Sequence, residues 1–246
     1  MEKVKEEWKK NYEYEKAISF NFPTVNKYIQ NFFKQDSFVL EAGCGRGDVC
    51  FGIEKNKKVK VVGIDIVPDV VRAAHLSAKT KSSKVQFIVG DVTHLPLKRE
   101  SFDGLISLGV IEHFRSTSEA LQAIKETYRI LKNNGKAFFT VPNLFVPFRN
   151  SLILFFSRGR WGMYHNFYTV NDLSRIAELS DFSSYHVDVV DLWLPFFFVI
   201  DGLLKILRLS TQLRCNMYDF FIKLPQFHVL KLFLGHIVLT AHKNRL

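Results

Sequence analysis

Short apolar runs alternate with stretches of helical periodicity along much of this chain, and this alternation limits the fold more than any other feature. The runs at 38–42, 58–64, 85–89, 102–108 and 137–141 are rich in Val, Ile, Leu and Phe, which is typical of strands buried on both faces. Helical patterns lie between several of them. This order predicts a parallel sheet with right-handed crossovers and helices on both faces.

Local signals bound the predicted helices. Pro68 is expected to open one helix, because the missing N–H of proline costs nothing in a first turn. Asn134-Gly135 is expected to end another helix, which covers 116–131. Two capping boxes are predicted, Ser116 with Glu119 and Thr169 with Asp172, and the second begins a helix over 169–179.

Composition excludes several classes of protein. Hydrophobic residues make up 47% of the chain and charged residues 24%, so the chain is not expected to be disordered. The three cysteines, Cys44, Cys50 and Cys215, cannot all pair and have no CxxC spacing, which argues against a disulfide scaffold or a cysteine zinc site and favours a reducing compartment. Residues 1–8 are charged, so we expect no signal peptide and a cytoplasmic location.

A glycine loop (residues 41–47) follows the first predicted strand directly. It reads Glu-Ala-Gly-Cys-Gly-Arg-Gly, and glycines at alternate positions let the backbone adopt positive φ and approach a ligand closely. The spacing is not the G-x-G-x-x-G of dinucleotide-binding enzymes. A nucleotide-dependent oxidoreductase is therefore disfavoured.

Two carboxylates stand at the ends of the next two predicted strands. Asp65 can accept hydrogen bonds from both hydroxyls of a ribose, and Asp91 can accept one from an adenine amino group. Ligands of open α/β sheets bind at the carboxyl ends of the strands, where both would meet the glycine loop. Each carboxylate also has a structural alternative: Glu41 and Asp65 could cap the helices that follow them, and Asp91 could be a turn residue.

Five motifs in order resemble the class I S-adenosylmethionine-dependent methyltransferases, most of all the branch that acts on small molecules, quinones and lipids. The resemblance covers about 38–141 and continues more loosely to Phe182 and to a last strand near 235–243. The motifs are VLEAGCGRGD, VVGIDIVP, GDVTHLPL, FDGLISLGVIEHF and LKNNGKAFFTVPN.

The resemblance implies S-adenosylmethionine as the cofactor and a doubly wound, mostly parallel, seven-stranded Rossmann-like sheet. The implied cofactor contacts are Gly43, Cys44, Gly45 and Gly47 at the methionyl group and sugar, Glu41 at the loop and methionine amine, Asp65 at the ribose, Ile66, Asp91 and Val92 at the adenine, and the Leu108 carbonyl at the methionine amine. Tyr12 or Tyr14 would close over the cofactor.

A single domain with a helical insertion before the last strand fits the 246 residues. The last two strands are predicted at 184–190 and 235–241. The predicted segments are N-terminal helices (1–36), a cofactor-binding core (37–143), a substrate-side region (144–191), a Phe-rich insertion (192–234) and the last strand (235–246).

Candidates for the acceptor side follow the fourth and fifth predicted strands. His113 could take a proton near pH 7 if the acceptor must lose one, or Glu112 and His113 could only shape the loop. Arg158 and Arg160, with His165 nearby, could bind a carboxylate or phosphate of the substrate, or remain solvated.

The predicted insertion, 192–234, combines aromatic and cationic residues. Its longest apolar run, 192–200, is far shorter than the roughly 20 residues that span a bilayer. We expect a lid over the acceptor, a peripheral membrane contact, or packing of the Phe residues against the sheet.

The predicted function is methyl transfer from S-adenosylmethionine to a small or amphiphilic acceptor. The net charge of +10 keeps an RNA or protein acceptor as the first alternative, although an RNA partner is disfavoured and no DNA partner is expected. Ser107-Leu-Gly-Val stands where nucleic-acid amine methyltransferases of this fold often carry Asn-Pro-Pro-Tyr, which disfavours methylation of a base nitrogen. The second alternative is a catalytically silent interaction module that binds the cofactor.

Overall fold

A seven-stranded sheet organises the computed structural model, which describes residues 6, 9, 29, 32–57, 59–144, 166–190 and 236–244. The strand order is β3-β2-β1-β4-β5-β7-β6. The strands are Phe38–Ala42 (β1), Lys60–Asp65 (β2), Gln86–Val89 (β3), Phe102–Leu108 (β4), Leu131–Pro142 (β5), Ser184–Val190 (β6) and His236–His242 (β7).

Strands β1 to β5 pair in parallel, and β7 lies antiparallel between β5 and β6. The predicted seven-stranded, mostly parallel, doubly wound sheet is therefore confirmed. The first strand, the fourth and β6 have the predicted bounds, and the other described strands overlap their predicted ranges.

Four helices and one short 3₁₀ turn complete the described elements: Asp48–Lys57 (α1), Pro68–Thr80 (α2), Ile111–His113 (the 3₁₀ turn), Thr117–Ile130 (α3) and Val170–Glu178 (α4). Pro68 is the first residue of α2, as predicted. Both predicted capping boxes are formed, so Ser116 and Thr169 each accept a bond from the backbone of the third helical residue.

The predicted helix end at Asn134-Gly135 is wrong. Helix α3 ends at Ile130, and β5 begins at the next residue. Asn134 instead adopts a φ of 64° inside a bulge, since Phe102 lies opposite Leu131 whereas Gly104 lies opposite Lys136. The backbone of Lys243 bonds both Asn134 N–H and the Gly135 carbonyl, so the left-handed residue serves the sheet rather than the helix.

Side chains alternate between the two faces of the sheet. Val39, Val61 and Ile106 pack with α1 and α2 on one face, and Leu40, Val62 and Leu105 pack with α3 and α4 on the other, all buried. The period of two places Glu41, Gly63 and Asp65 on the face of α1 and α2, next to the start of α1.

The described part of the N-terminal region covers the same face of the sheet near β4. Ile29 and Phe33 are buried, and the Phe33 ring fills the space that a side chain at Gly104 would need. Most of the predicted N-terminal helices, residues 145–165 and the predicted insertion 192–234 lie outside the described residues. In the part of the chain that the structure describes, no helix is long and apolar enough to cross a bilayer.

Candidate functional site

The carboxyl ends of β3, β2, β1 and β4 lie side by side, in that order, at one edge of the sheet. The predicted ligand contacts follow from this order: Asp91 and Val92 after β3, Asp65 and Ile66 at β2, the glycine loop after β1, and Leu108 at the end of β4. The structure therefore brings together the site residues that the motifs predicted in separate parts of the chain.

Asp65 fastens the glycine loop to the end of β2. Its Oδ2 accepts a hydrogen bond from Gly45 N at 3.0 Å, and its Oδ1 accepts one from Val67 N at 3.0 Å. The carbonyl of Ile64 accepts from Gly43 N and Cys44 N at 2.8 and 2.9 Å. Val67 is the N-cap residue of α2, so one carboxylate ties both the glycine loop and the start of that helix to the end of β2.

Three glycines of the loop have left-handed backbone angles: φ is 76° at Gly43, 52° at Gly45 and 82° at Gly47. A side chain at Gly43 would overlap Val110, and one at Gly47 would overlap the ring of Phe87. The sequence predicted positive φ and a close approach to a ligand for these glycines, but not their packing against other side chains. Packing within the protein requires two of them independently of any ligand.

Glu41 is buried beneath the glycine loop and contacts the first turn of α1. The Sγ of Cys50 donates to Glu41 Oε2 at 2.7 Å, and the backbone N–H of Cys50 also bonds this carboxyl group. Cys50 is the third residue of α1, so Glu41 caps this helix from the neighbouring strand, the structural role considered for it above. Desolvation by burial raises the pKa of Glu41 to about 8.

The two described cysteines are both buried near Glu41. Burial raises the pKa of the Cys44 and Cys50 thiols well above the ordinary value, so both are neutral, inert thiols. The Cys44 side chain is buried and packs beside Gly63 and Phe87. The contact between Cys50 and Glu41 was missed from the sequence, because a strand residue that caps a helix nine positions later leaves no local signature.

Asp91 begins the Asp91 loop (residues 91–97). Its Oδ1 accepts from the backbone N–H of Thr93 at 2.8 Å and from the Thr93 hydroxyl at 2.7 Å, so the expected turn role is present. Within the described residues, no hydrogen bond reaches Oδ2 of Asp91. This second oxygen is the acceptor that remains for a ligand amino group.

One polar stripe of α3 holds the Asp91 loop in place. Gln122, Glu126 and Arg129 recur at helical spacing and therefore lie on the same side of the helix. The Gln122 amide donates to the Thr93 carbonyl at 3.3 Å, Glu126 accepts from Leu95 N at 2.8 Å, and Arg129 donates to the carbonyls of Leu95 and Leu97 at 2.9 Å each. Sequence reasoning missed this stripe, because its partners lie about thirty residues away.

Comparisons with known proteins identify the part of the chain that contains this site. Residues 40–139 match the family model described as a methyltransferase domain, and the carboxyl ends of β1 to β4 all fall within that range. The chain carries a class I S-adenosylmethionine-dependent methyltransferase domain. The predicted family is confirmed, while its small-molecule branch stays a prediction.

Two curated relatives of the methyltransferase domain differ in the acceptors that their names give. The human protein named "Probable tRNA methyltransferase 9B" is 32% identical over 115 residues, which are 47% of this chain and 23% of that protein. Demethylmenaquinone methyltransferase of Lactobacillus johnsonii is 30% identical over 122 residues, 46% of this chain and 49% of that enzyme. The chain thus matches half or less of the length of these relatives.

A solved structure shows the same fold. Phosphoethanolamine N-methyltransferase 2 of Haemonchus contortus, in complex with S-adenosyl-L-methionine, aligns with a TM-score of 0.64 at 18% identity, covering 97% of this chain and 57% of that one. At this identity the likeness shows the fold alone.

The cofactor of the methyltransferase domain is S-adenosylmethionine, and the donor set fits it. Asp65 supplies a buried carboxylate beside the loop, Asp91 supplies an oxygen to which none of the described residues donates, and the glycine loop supplies a backbone cradle. Leu108 and Ile66 are half-buried at the same edge. The individual cofactor contacts of these residues stay predictions.

The acceptor side of the methyltransferase domain is described in part. His113 lies in the 3₁₀ turn directly after β4, close in sequence to the strand end, as predicted. Asn166 holds this turn from the far side: its backbone N–H donates to the Glu112 carbonyl at 2.7 Å, and its side-chain amide donates to the Phe114 carbonyl at 2.8 Å. Asn166 was missed from the sequence.

Several predicted residues fall outside the described ranges, namely Tyr12, Tyr14, Arg158, Arg160 and His165. Their roles stay predictions. Among the described residues, no group of three or more His, Cys, Asp or Glu side chains could hold a metal ion.

Proposed function

We propose that this chain is an enzyme that transfers the methyl group of S-adenosylmethionine to a small or amphiphilic acceptor. The observation that carries the proposal is the convergence of the glycine loop, Asp65 and Asp91 at adjacent strand ends inside a methyltransferase domain. The name of the quinone-directed relative supports an acceptor of this class.

In the proposed mechanism the protein positions its reactants. S-adenosylmethionine, when bound, supplies a methyl group that its sulfonium already activates. Asp65 would hold the ribose hydroxyls and Asp91 the adenine amino group, and the Leu108 carbonyl would orient the methionine amine. With these groups fixed, the acceptor atom can approach in line and away from water. His113 would take the proton only from an acceptor that must lose one.

Calorimetry with S-adenosylmethionine, S-adenosylhomocysteine and NAD tests the cofactor. Both adenosyl ligands should bind and NAD should not. Asp65→Asn should weaken binding by at least about 1–3 kcal/mol, because the ribose hydroxyls lose a charged partner and the new amide NH2 group faces the N–H of Gly45 or Val67. Thermal unfolding of the variant is the control, and tighter binding of NAD than of S-adenosylmethionine would contradict the proposal.

Transfer from methyl-labelled S-adenosylmethionine tests the acceptor. The proposal expects label in small molecules or in the organic extract of a cell lysate. An RNA acceptor is the second candidate, favoured by the name of the human relative and by the net charge of +10. Label in RNA, with affinity that falls steeply with salt, would support this candidate instead. Cofactor binding without transfer to any fraction would support the silent interaction module.

We further propose that the enzyme is cytoplasmic and that the predicted segment 192–234 binds it to a membrane surface. Within this segment the cations outnumber Asp201 and Asp219, the two acids. Flotation with anionic vesicles should carry the protein, and Lys205→Glu combined with Arg208→Glu should abolish it. Absence of flotation of the unaltered protein would leave a lid or core packing as the role of the segment.

A further inference from the structure

A short chain of hydrogen bonds runs from Asp91 to the protein surface. The Thr93 hydroxyl lies 2.7 Å from Asp91 Oδ1 and 2.9 Å from Nδ1 of His94. The backbone N–H of Thr93 also donates to Asp91 Oδ1, at 2.8 Å. One oxygen of the Asp91 carboxylate therefore receives two hydrogen bonds from a single neighbour.

The direction of each hydrogen bond follows from the number of protons available. The Thr93 hydroxyl has one proton, and a carboxylate oxygen can only accept. The hydroxyl therefore donates to Asp91, and the remaining contact requires that His94 Nδ1 carry a proton and donate to Thr93. Neutral and cationic forms of His94 can both do so.

We propose that Thr93 is a specificity-determining positioning residue, which holds Asp91 so that Oδ2 selects a purine carrying a 6-amino group. The inference rests on the cofactor of the proposed function and adds two residues, Thr93 and His94, that would not touch the cofactor themselves.

The physical basis is the rotation of a carboxylate about its last bond. This rotation is soft, so an Asp with unconstrained oxygens can turn to suit different ligands. Two donors on Oδ1 restrict the rotation of the Asp91 carboxylate and leave Oδ2 as the oxygen to which no described residue donates. A 6-amino group donates to this oxygen, whereas a 6-oxo group would place one acceptor against another.

The backbone of the loop is held by other groups, so the hydroxyl can be tested separately. Gln122 bonds the Thr93 carbonyl, Glu126 bonds Leu95 N, and His94 N donates to the Asp91 carbonyl at 3.1 Å. Replacement of the Thr93 side chain leaves these bonds and the backbone bond to Asp91 in place.

Calorimetry with S-adenosylhomocysteine and its 6-oxo analogue, S-inosylhomocysteine, measures the selection without any knowledge of the acceptor. The dissociation constant of S-inosylhomocysteine divided by that of S-adenosylhomocysteine measures the selection. This ratio should fall about five- to tenfold in Thr93→Val, as expected for one lost charge-assisted hydrogen bond. Thr93→Ser keeps the hydroxyl and should restore the ratio. His94→Phe should lower the ratio less than Thr93→Val, and His94→Asn, whose amide can replace the Nδ1 donor, should restore it.

Each outcome separates the inference from the proposed function. An unchanged ratio in Thr93→Val, or a Thr93→Ser variant that behaves like the Val variant, overturns the inference and leaves the cofactor assignment intact. Failure of the unaltered protein to bind S-adenosylhomocysteine overturns both. A thermal midpoint of Thr93→Val close to that of the unaltered protein verifies that the loop has not unfolded. If Thr93→Val unfolds, the ratio in His94→Phe against His94→Asn decides in its place.

Discussion

The glycine loop and the Asp91 loop serve the same strand ends but are held in different ways. The glycine loop is fixed by its own backbone, by Asp65 and by close packing against Val110 and Phe87. The Asp91 loop is fixed by side chains of α3, about thirty residues away. The glycine loop therefore requires positions without a side chain, Gly43 and Gly47, whereas the Asp91 loop requires the polar side chains of α3.

This difference predicts which substitutions each loop can accept. A tightly packed, left-handed backbone excludes even a methyl group, since the neighbouring atoms would have to move. A loop held by polar side chains accepts changes of size but loses stability when a carbonyl or amide is left without its partner.

The largest effect is expected for Gly47→Ala. Gly47 has a φ of 82°, and an added Cβ would meet the Phe87 ring. Left-handed strain of about 1–2 kcal/mol and overpacking of about 1–3 kcal/mol should lower the free energy of unfolding together. Chemical denaturation measures the loss.

Gly52→Ala is the matched control. Gly52 lies inside α1, and nothing approaches within 4 Å of the position of its Cβ. Alanine there should stabilise the protein by about 0.5–1 kcal/mol, because glycine is a poor helix former. Equal effects at the two positions would contradict the packing argument.

A smaller effect is expected for Arg129→Met, which removes the bonds to the Leu95 and Leu97 carbonyls. The side chain is replaced by one of similar length, so the loss should come from unpaired carbonyls and from Glu126, at about 2 kcal/mol. Amide hydrogen exchange should rise in the Asp91 loop and stay unchanged in the glycine loop.

Lys132→Met is the comparison for Arg129→Met, because each substitution removes the cation of an ion pair with a nearby carboxylate. Lys132 and Asp103 are 2.9 Å apart, and their side chains are 44% and 39% exposed. Loss of an exposed pair should cost less than about 1 kcal/mol. A larger loss for Lys132→Met than for Arg129→Met would show that the Asp91 loop does not depend on the α3 stripe.

The last effect depends on pH and concerns Glu41. Its pKa is about 8 in the folded protein, against 4.5 for the ordinary group. The folded chain therefore keeps a proton that the unfolded chain releases between these values. The contribution is fully present below pH 4.5 and declines as the pH rises toward 8, by at most about 1.4 kcal/mol per pH unit.

Glu41→Gln keeps the size and the acceptor oxygen but removes the titration. The stability difference between the unaltered protein and this variant should therefore change with pH between 5 and 8. Denaturant unfolding at several pH values measures the difference. A constant difference across that range would indicate that Glu41 stays ionised.

The sequence predicted most of the sheet because each central strand is buried on both faces and reads as an apolar run. The capping boxes could also be predicted, because their residues lie close together in the sequence: Ser116 and Glu119 are three residues apart. The bulge at Asn134 was misassigned, because its partner, Lys243, is more than a hundred residues away. A local pattern cannot distinguish a left-handed residue after a helix from one inside a bulged strand.

For the candidate site, the motifs predicted which strand ends converge but not what holds them there. At the opposite edge of the sheet, next to the first residues of β5, the contacts of buried Lys243 are equally absent from any local pattern. Its ammonium group donates to the carbonyls of Tyr128 and Leu131 at 3.2 and 2.8 Å, at the end of α3, and lies 4.5 Å from the Tyr128 ring centroid. A lysine at the end of a strand carries no sign in the sequence that it will be buried.

The position of β7 between β5 and β6 has a consequence during protein synthesis. Both neighbours are translated before β7, because β5 ends at Pro142, β6 ends at Val190 and β7 begins at His236. At about 5–20 residues per second, β5 would wait for its partner for roughly 5–20 s after leaving the ribosome. Throughout this interval the nascent chain presents the open edge of a strand to other molecules, and a chaperone that shields such edges would act on β5 until translation passes His242.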